Sequence, residues 1–331
     1  MNPAPSQPQI TQLENPVLAK HEPLVVATRG DAVESIHYGS AVLLDANGEV
    51  RTSYGEPQAA YYPRSALKPL FAVGMLRAGL ELDDQQLALA SASHSGAPIH
   101  QQVAASTLKA AGLDATALGN STDLPYGVPE RQAYVAQGGT ATQLAQNCSG
   151  KHAALVALSE LKGWDTANYL HDERLLQMLQ DTVEELTGEK ISGVSTDGCG
   201  TPVYLISLVG LARGFARLAS AKAGTPEARV AKAMSTHPEL VAGEGRDVTA
   251  LMRALPRAVA KDGFEGIQAV ALPDGTALAV KIADGGDRAR MPITIKLLTE
   301  FLGEAAPAAL AELATSPALG GGAPVGVLKA L

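Results

Sequence analysis

A chain of 331 residues with 46% hydrophobic and 18% charged residues can fill a sizeable core, which excludes a disordered protein and leaves one large domain or two fused ones. Aromatic residues reach only 4%, so aliphatic and alanine-rich packing, mostly helix against sheet, must build that core. A formal charge of −8 and a pI near 5.4 argue against nucleic acid or an anionic membrane as partner.

The proline- and glutamine-rich start predicts a flexible segment over residues 1–22, with no apolar core behind a basic start. No apolar stretch reaches the roughly 18 residues that span a bilayer. The expected location is the cytoplasm, with thiols free or metal-bound rather than paired. Pro23 to Gly30 then reads as a buried strand, and Glu34 to Gly55 as a hairpin turning at Asp45-Ala-Asn-Gly48. Pro63-Arg64-Ser65 opens an apolar helix through Leu76. The apolar run Leu87 to Ala92 stops at a polar turn, Ser93-His94-Ser95-Gly96, and His100 to Ala111 is an alanine-rich helix. Ser149 is expected to cap a helix, Leu175 to Leu186 forms another, and a third spans Val203 to Leu218. Val230 to Leu255 reads as two helices broken at Gly243-Glu-Gly245. Phe264 to Val270 and Ala277 to Ile282 form a second hairpin about Pro273-Asp-Gly275, and Pro292 to Leu302 is a closing helix. Hairpins at both ends with helices between predict an α/β fold: one mixed, mainly antiparallel sheet flanked by helices. Residues 23–331 are expected to form a single domain, with a helical part at about 97–250.

The only two cysteines, Cys148 and Cys199, sit in polar, glycine-bearing turns: Asn147-Cys-Ser-Gly-Lys151-His152 and Ser195-Thr-Asp197-Gly-Cys199-Gly200. A packing cysteine usually lies in an apolar run, whereas these surroundings suit a thiolate, as a metal ligand or beside a substrate. From chemistry alone they are two thiols near a lysine, Lys151, a possible three-ligand set. Ser65-Ala-Leu-Lys68 puts a hydroxyl and an amine on one helical face. A serine nucleophile needs a base within hydrogen-bond reach, and a lysine serves only if burial or a neighbouring cation lowers its pKa. The same spacing recurs at Ser106/Lys109 and Ser159/Lys162 inside amphipathic helices, where solvated side chains are the natural reading. Ser65 differs by standing at the first turn of its helix, where free N–H groups can hold an oxyanion. His94 could orient or donate, and Asp197 is a turn residue or an anchor for an ammonium group.

These motifs, with His237-Pro-Glu239, Ala242-Gly-Glu-Gly-Arg246 and Val280-Lys-Ile-Ala-Asp284-Gly285, resemble the asparaginase II family of the rhizobial, thermolabile type, over about Leu24 to Val325. The resemblance implies a glutaminase and serine β-lactamase-like fold and an L-asparaginase, hydrolysing L-asparagine to L-aspartate and ammonia through an acyl-enzyme. It implies two Ser–Lys pairs, Ser65 with Lys68 and Ser93 with Lys261 (Lys281 being the fallback), Ser65 the expected nucleophile and Ser93 its rival. It further implies a pocket lined by Arg64, His152 and Asp197, zinc on Cys148, Lys151 and Cys199, and a homodimer. Another Ser–Lys acyl hydrolase, β-lactamase-like or peptidase, and a non-catalytic zinc-linked amino-acid sensor are the alternatives. After Ser95 the chain has Gly96-Ala97 where family members often carry an acid, which bears on substrate affinity.

Overall fold

Strands from the two ends of the chain pair with one another in the computed structural model, which describes residues 18–331. The segment expected to be flexible lies largely outside the described residues. β1 (Glu22–Arg29) pairs antiparallel with β2 (Ala32–Leu44), which also takes β3 (Val50–Tyr54) across the predicted turn. A short β4 (Ala60–Tyr61) leads into the 3-10 turn Arg64–Leu67 and α1 (Lys68–Arg77). Five helices follow: α2 (Asp84–Ala90), α3 (Pro98–Ala110), α4 (Val128–Ala136), α5 (Ser149–Lys162) and α6 (Glu173–Thr187). β5 (Gly193–Thr196) and β6 (Pro202–Ser207) form a small sheet with β4. Then come α7 (Leu208–Ala219), α8 (Pro226–Thr236), α9 (Pro238–Val241) and α10 (Asp247–Ala254). β7 (Val259–Gly263), β8 (Ile267–Ala271) and β9 (Ala277–Ile282) return to the main sheet, followed by α11 (Arg290–Leu302), β10 (Thr315–Gly320) and β11 (Ala323–Ala330).

The main sheet runs β10-β11-β1-β2-β9-β8-β7 with β3 beside β2, and every pairing is antiparallel. Alternate side chains of a strand point to opposite faces, and all five residues of β8 are buried, so both faces are covered. α7 and α11 both pack on β8 and β9. α1 is buried almost all round, the pattern of a core helix, and it packs against α5, α6 and α8.

The α/β expectation holds, and several local readings change. Leu87 to Ala92 belongs mostly to a helix, fixed by a capping box between Asp83 and Gln86. Residues 202–207 are a strand and the helix starts only at Leu208, capped by Ser207. Ser149 does not cap α5: it is the first helical residue, and the cap position is Cys148. α11 does not close the chain, because the alanine-rich tail returns as β10 and β11 to pair with β1. β7 was hidden because Phe264 falls in a turn rather than a strand.

Gly150 in the first turn of α5 lets the helix approach α2 at backbone distance, since a Cβ there would stand 2.4 Å from the Leu89 carbonyl oxygen. Gly150→Ala should therefore cost on the order of 2 kcal/mol or more in urea unfolding, despite alanine's better helix propensity. An unchanged midpoint would show that the contact yields freely.

Candidate active site

Lys68 opens α1 and is 1% exposed, so its ammonium or amine must find partners inside the protein. Nζ donates to the Ala92 carbonyl at 2.6 Å and to Ser93 Oγ at 3.0 Å, and lies 3.1 Å from Cys148 Sγ. Ser93 is held from both sides by backbone. Its N–H donates to Val241 O at 3.0 Å, the next N–H to Asn147 O at 3.1 Å, and that of Ser95 to Ala242 O at 2.7 Å. Only glycine fits at 243, where φ is +140° and a Cβ would meet Ser95 Oγ at 1.9 Å. The polar turn after α2 is thus pinned rather than solvated.

Ser65 lies across a cavity of about 100 Å³ that Ser65 and Ser93 line together with Tyr126, Asn147, Asp262, Phe264, Glu265 and Asp287. Its neighbour Arg64 adopts φ 53°, a conformation that costs a non-glycine residue about 1–3 kcal/mol. Asp197 holds it there, accepting from Nε at 2.8 Å and Nη2 at 2.7 Å, while the guanidinium carbon stands 5.5 Å from the Phe264 ring centre. Arg64 and Asp197, both expected in the pocket, are thus joined to each other.

Lys261 is fully buried on β7 and donates to the carbonyl of Asp262 at 2.8 Å and to its carboxylate. Burial, helped by the Lys68 and Arg246 charges and opposed by Asp262, lowers its pKa to about 8. Burial works against the Asp262 charge, but Lys261, Arg290 and Arg246 outweigh it and hold that carboxyl well below the usual range. The pairing differs from the one expected. Lys68 bonds Ser93, Lys261 bonds Asp262, and among the described residues no hydrogen bond joins Ser65 to Lys68 or Ser93 to Lys261. Lys281 donates to the Glu265 carbonyl and to neither serine.

The two cysteine turns meet behind Lys68. Lys151 Nζ is 3.0 Å from Cys199 Sγ and 2.5 Å from Thr201 Oγ1, while Cys148 Sγ donates to Asn147 Oδ1 at 3.1 Å. The neighbouring Cys148 thiol, with Lys151 and His152 nearby, pushes the Cys199 thiol far down; Cys199 in turn, and burial, push Cys148 far up. Burial opposes the Lys151 charge, but both thiols and Asp197 outweigh it, so its pKa is raised. His152 Nδ1 shares a hydrogen at 2.6 Å with Tyr169 Oη, while its buried Nε2 has no partner. Burial, then Lys151, lowers its pKa to about 4, so the ring is neutral at pH 7. His94 lies wholly buried, stacked on His100 at 4.9 Å and bonded to Ser149 Oγ at 2.9 Å. The structure therefore brings Lys68, Ser93, Cys148, Lys151 and Cys199 into one buried cluster, with Ser65 across the cavity.

Sequence reasoning missed Tyr126, Asn147, Asp262, Phe264, Glu265 and Asp287. A usable signal existed for Asp262: a Lys-Asp dipeptide inside Val259–Gly263, a strand with no exposed residue.

The L-asparaginase II family model matches residues 25–330. The chain belongs to the L-asparaginase II family. No curated protein sequence matches it. Among solved structures it is similar to a β-lactamase from Mycobacterium bovis, at 16% identity over 80% of this chain and 94% of that one, with a TM-score of 0.44. It is also similar to EstCE1, a hydrolase with promiscuous acyltransferase activity, at 11% identity over 80% and 89% of the two chains, with a TM-score of 0.37.

One thiolate per chain is expected at neutral pH in chelator-treated protein. The double variant Cys148→Ser/Cys199→Ser should remove the far-ultraviolet thiolate absorbance, whereas equal absorbance in that variant would contradict a thiolate in this cluster.

Proposed function

We propose that this hydrolase of the L-asparaginase II family cleaves the side-chain amide of L-asparagine, releasing ammonia, with a serine hydroxyl as nucleophile and a buried lysine as base. The hydrogen bond from Lys68 Nζ to Ser93 Oγ at the wall of a small cavity carries this reading. A hydroxyl becomes a competent nucleophile when a base stands within hydrogen-bond distance, and Lys68 meets that condition. In the proposed path a serine oxygen bonds the amide carbon while its proton passes to the lysine. The protonated lysine then returns that proton to the departing nitrogen, and water hydrolyses the acyl-enzyme.

Of the cavity's carboxylates Asp262 is engaged by Lys261 and Arg246 and Asp287 by Arg290, which leaves Glu265 to receive an α-ammonium group. Asp197, engaged by Arg64, serves this reading as the anchor of that arginine beside Ser65. Lys261 supplies a second amine whose lowered pKa leaves it substantially neutral near pH 8.

Cys148, Lys151 and Cys199 fit a zinc ion by donor chemistry. Two sulfurs suit it, one already inclined to the thiolate, and the unpartnered His152 Nε2 is buried beside them. Among the described residues no group of three or more His, Cys, Asp or Glu side chains could hold a metal, so Lys151 would have to supply its neutral amine. Bound zinc would offset the charge of the two thiolates and brace the cysteine turns behind the Lys68–Ser93 pair.

The test is ammonia release from L-asparagine by the wild type beside Ser65→Ala, Ser93→Ala and Lys68→Met. Losses of at least about 100-fold are expected for Ser93→Ala and Lys68→Met. No release by the wild type, with zinc supplied, would overturn the reading; hydrolysis of simple acyl esters in its place would favour the broader acyl hydrolase. For the pH dependence, a lysine acting as neutral amine is inactive below its pKa and active above it. With Lys261 acting as the second amine, the rate should rise between about pH 7 and 9, around its value of about 8, and a flat or falling profile would remove Lys261 from the reaction.

A further inference from the structure

Arg246 joins the cavity wall to the buried amine of Lys261, and the path outlined above gives it no role. It stands just before α10, and its Nη2 donates to Asp262 Oδ2 at 3.0 Å. The other carboxylate oxygen, Oδ1, accepts from Lys261 Nζ. The guanidinium carbon lies 5.0 Å from the ring centre of Tyr126, and Nη1 is buried without a hydrogen-bond partner. Both of its neighbours, Asp262 and Tyr126, line the cavity. One carboxylate is therefore shared between two cations from different parts of the chain.

The charged and titratable groups about Lys261 are few. Asp262 comes from its own strand, Arg246 from the loop before α10, Lys68 from α1 and His94 from the turn after α2. Burial lowers the His94 pKa far enough to leave that ring neutral, and Arg290 of α11 faces Asp262 rather than Lys261. Of these, Arg246 is bonded to the carboxylate that holds Lys261 without itself lining the cavity.

We propose that Arg246 is a positioning residue for Lys261: by gripping Oδ2 it fixes the Asp262 carboxylate that receives Nζ and divides its charge between the two cations. Without Arg246 the carboxylate belongs to Lys261 alone, which then keeps its proton to higher pH. Lysine at this position would keep the charge but lose the planar fork and the stacking on Tyr126, so it restores the effect only in part. Burial is the main reason the Lys261 pKa falls although a carboxylate touches it, and the Arg246 charge adds to that fall. The inference rests on the proposed function only in treating Lys261 as the second amine of the site.

The experiment is a 13C NMR titration of the full chain with lysine labelled at Cε, the Lys261 resonance being assigned by its loss in Lys261→Met. The pH profile of kcat/KM for L-asparagine is measured on the same proteins. In Arg246→Gln the Lys261 titration should move upward by about one pH unit, and in Arg246→Lys by less, as expected for removing or displacing one close cation. Coincident Lys261 titrations in wild type and Arg246→Gln would overturn the proposal. Should the glutamine variant fail to fold, Arg246→Lys gives the same reading, and coincidence with wild type overturns it there. A shifted resonance with an unshifted rate profile supports the positioning role and removes Lys261 from the reaction. Failure of the inference and failure of the functional reading are thus separable.

Discussion

The placement of the Lys68 amine constrains more of this structure than any other single contact. An amine buried to this extent is expensive unless hydrogen-bonded, with a cost of several kcal/mol for an unsatisfied charge. Its three partners come from two segments remote in sequence: the Ala92 carbonyl and Ser93 hydroxyl after α2, and the Cys148 sulfur before α5. To deliver them, the turn after α2 must be pinned to the end of α9 at Val241 and Ala242, and α5 must approach α2 closely enough to require Gly150. The cavity is the space left when those demands are met.

Around that amine the protein buries further charge in ordered layers. Lys151 and Lys261 are each almost wholly inaccessible, as is Arg290, which bonds Asp247, Asp287 and Gln268. Each cation has its own acceptor, so the charges fall into separate domains: thiols for Lys151, Asp262 for Lys261, and Asp247 with Asp287 for Arg290. Among these carboxylates Asp262 alone is shared between two cations, because Arg246 also claims it. Separate partners let one lysine have a raised pKa and another a lowered one although both are buried.

Much of the fold could be read from local pattern. The hairpin at Asp45 to Gly48 and the second about Pro273 to Gly275 carry their own turn residues, and both lie in the antiparallel sheet. What escaped was set by tertiary context. The tail after Pro307 has weak strand propensity, yet β1 offers it an edge and it pairs there. Pro202 to Ser207 looked continuous with the helix behind it until β4 and β5 claimed it as a strand. At the site, residue types were legible from turns, whereas partners were not. Ser65 and Lys68 are neighbours along a helix, but the structure gives the amine to Ser93, 25 residues onward, through a loop whose path is fixed by Gly243. Asp262 went unremarked because an acidic residue in a buried strand acquires meaning only from the cations that fold around it.

The most direct test of the account is to quench the reaction of L-asparagine with this protein in acid within a turnover and map the acylated peptide by mass spectrometry. The account predicts an aspartyl group on the peptide carrying Ser65 or Ser93, absent in Lys68→Met. An acyl group on Cys148, or turnover with no covalent species at any time, would contradict a serine nucleophile served by a buried lysine.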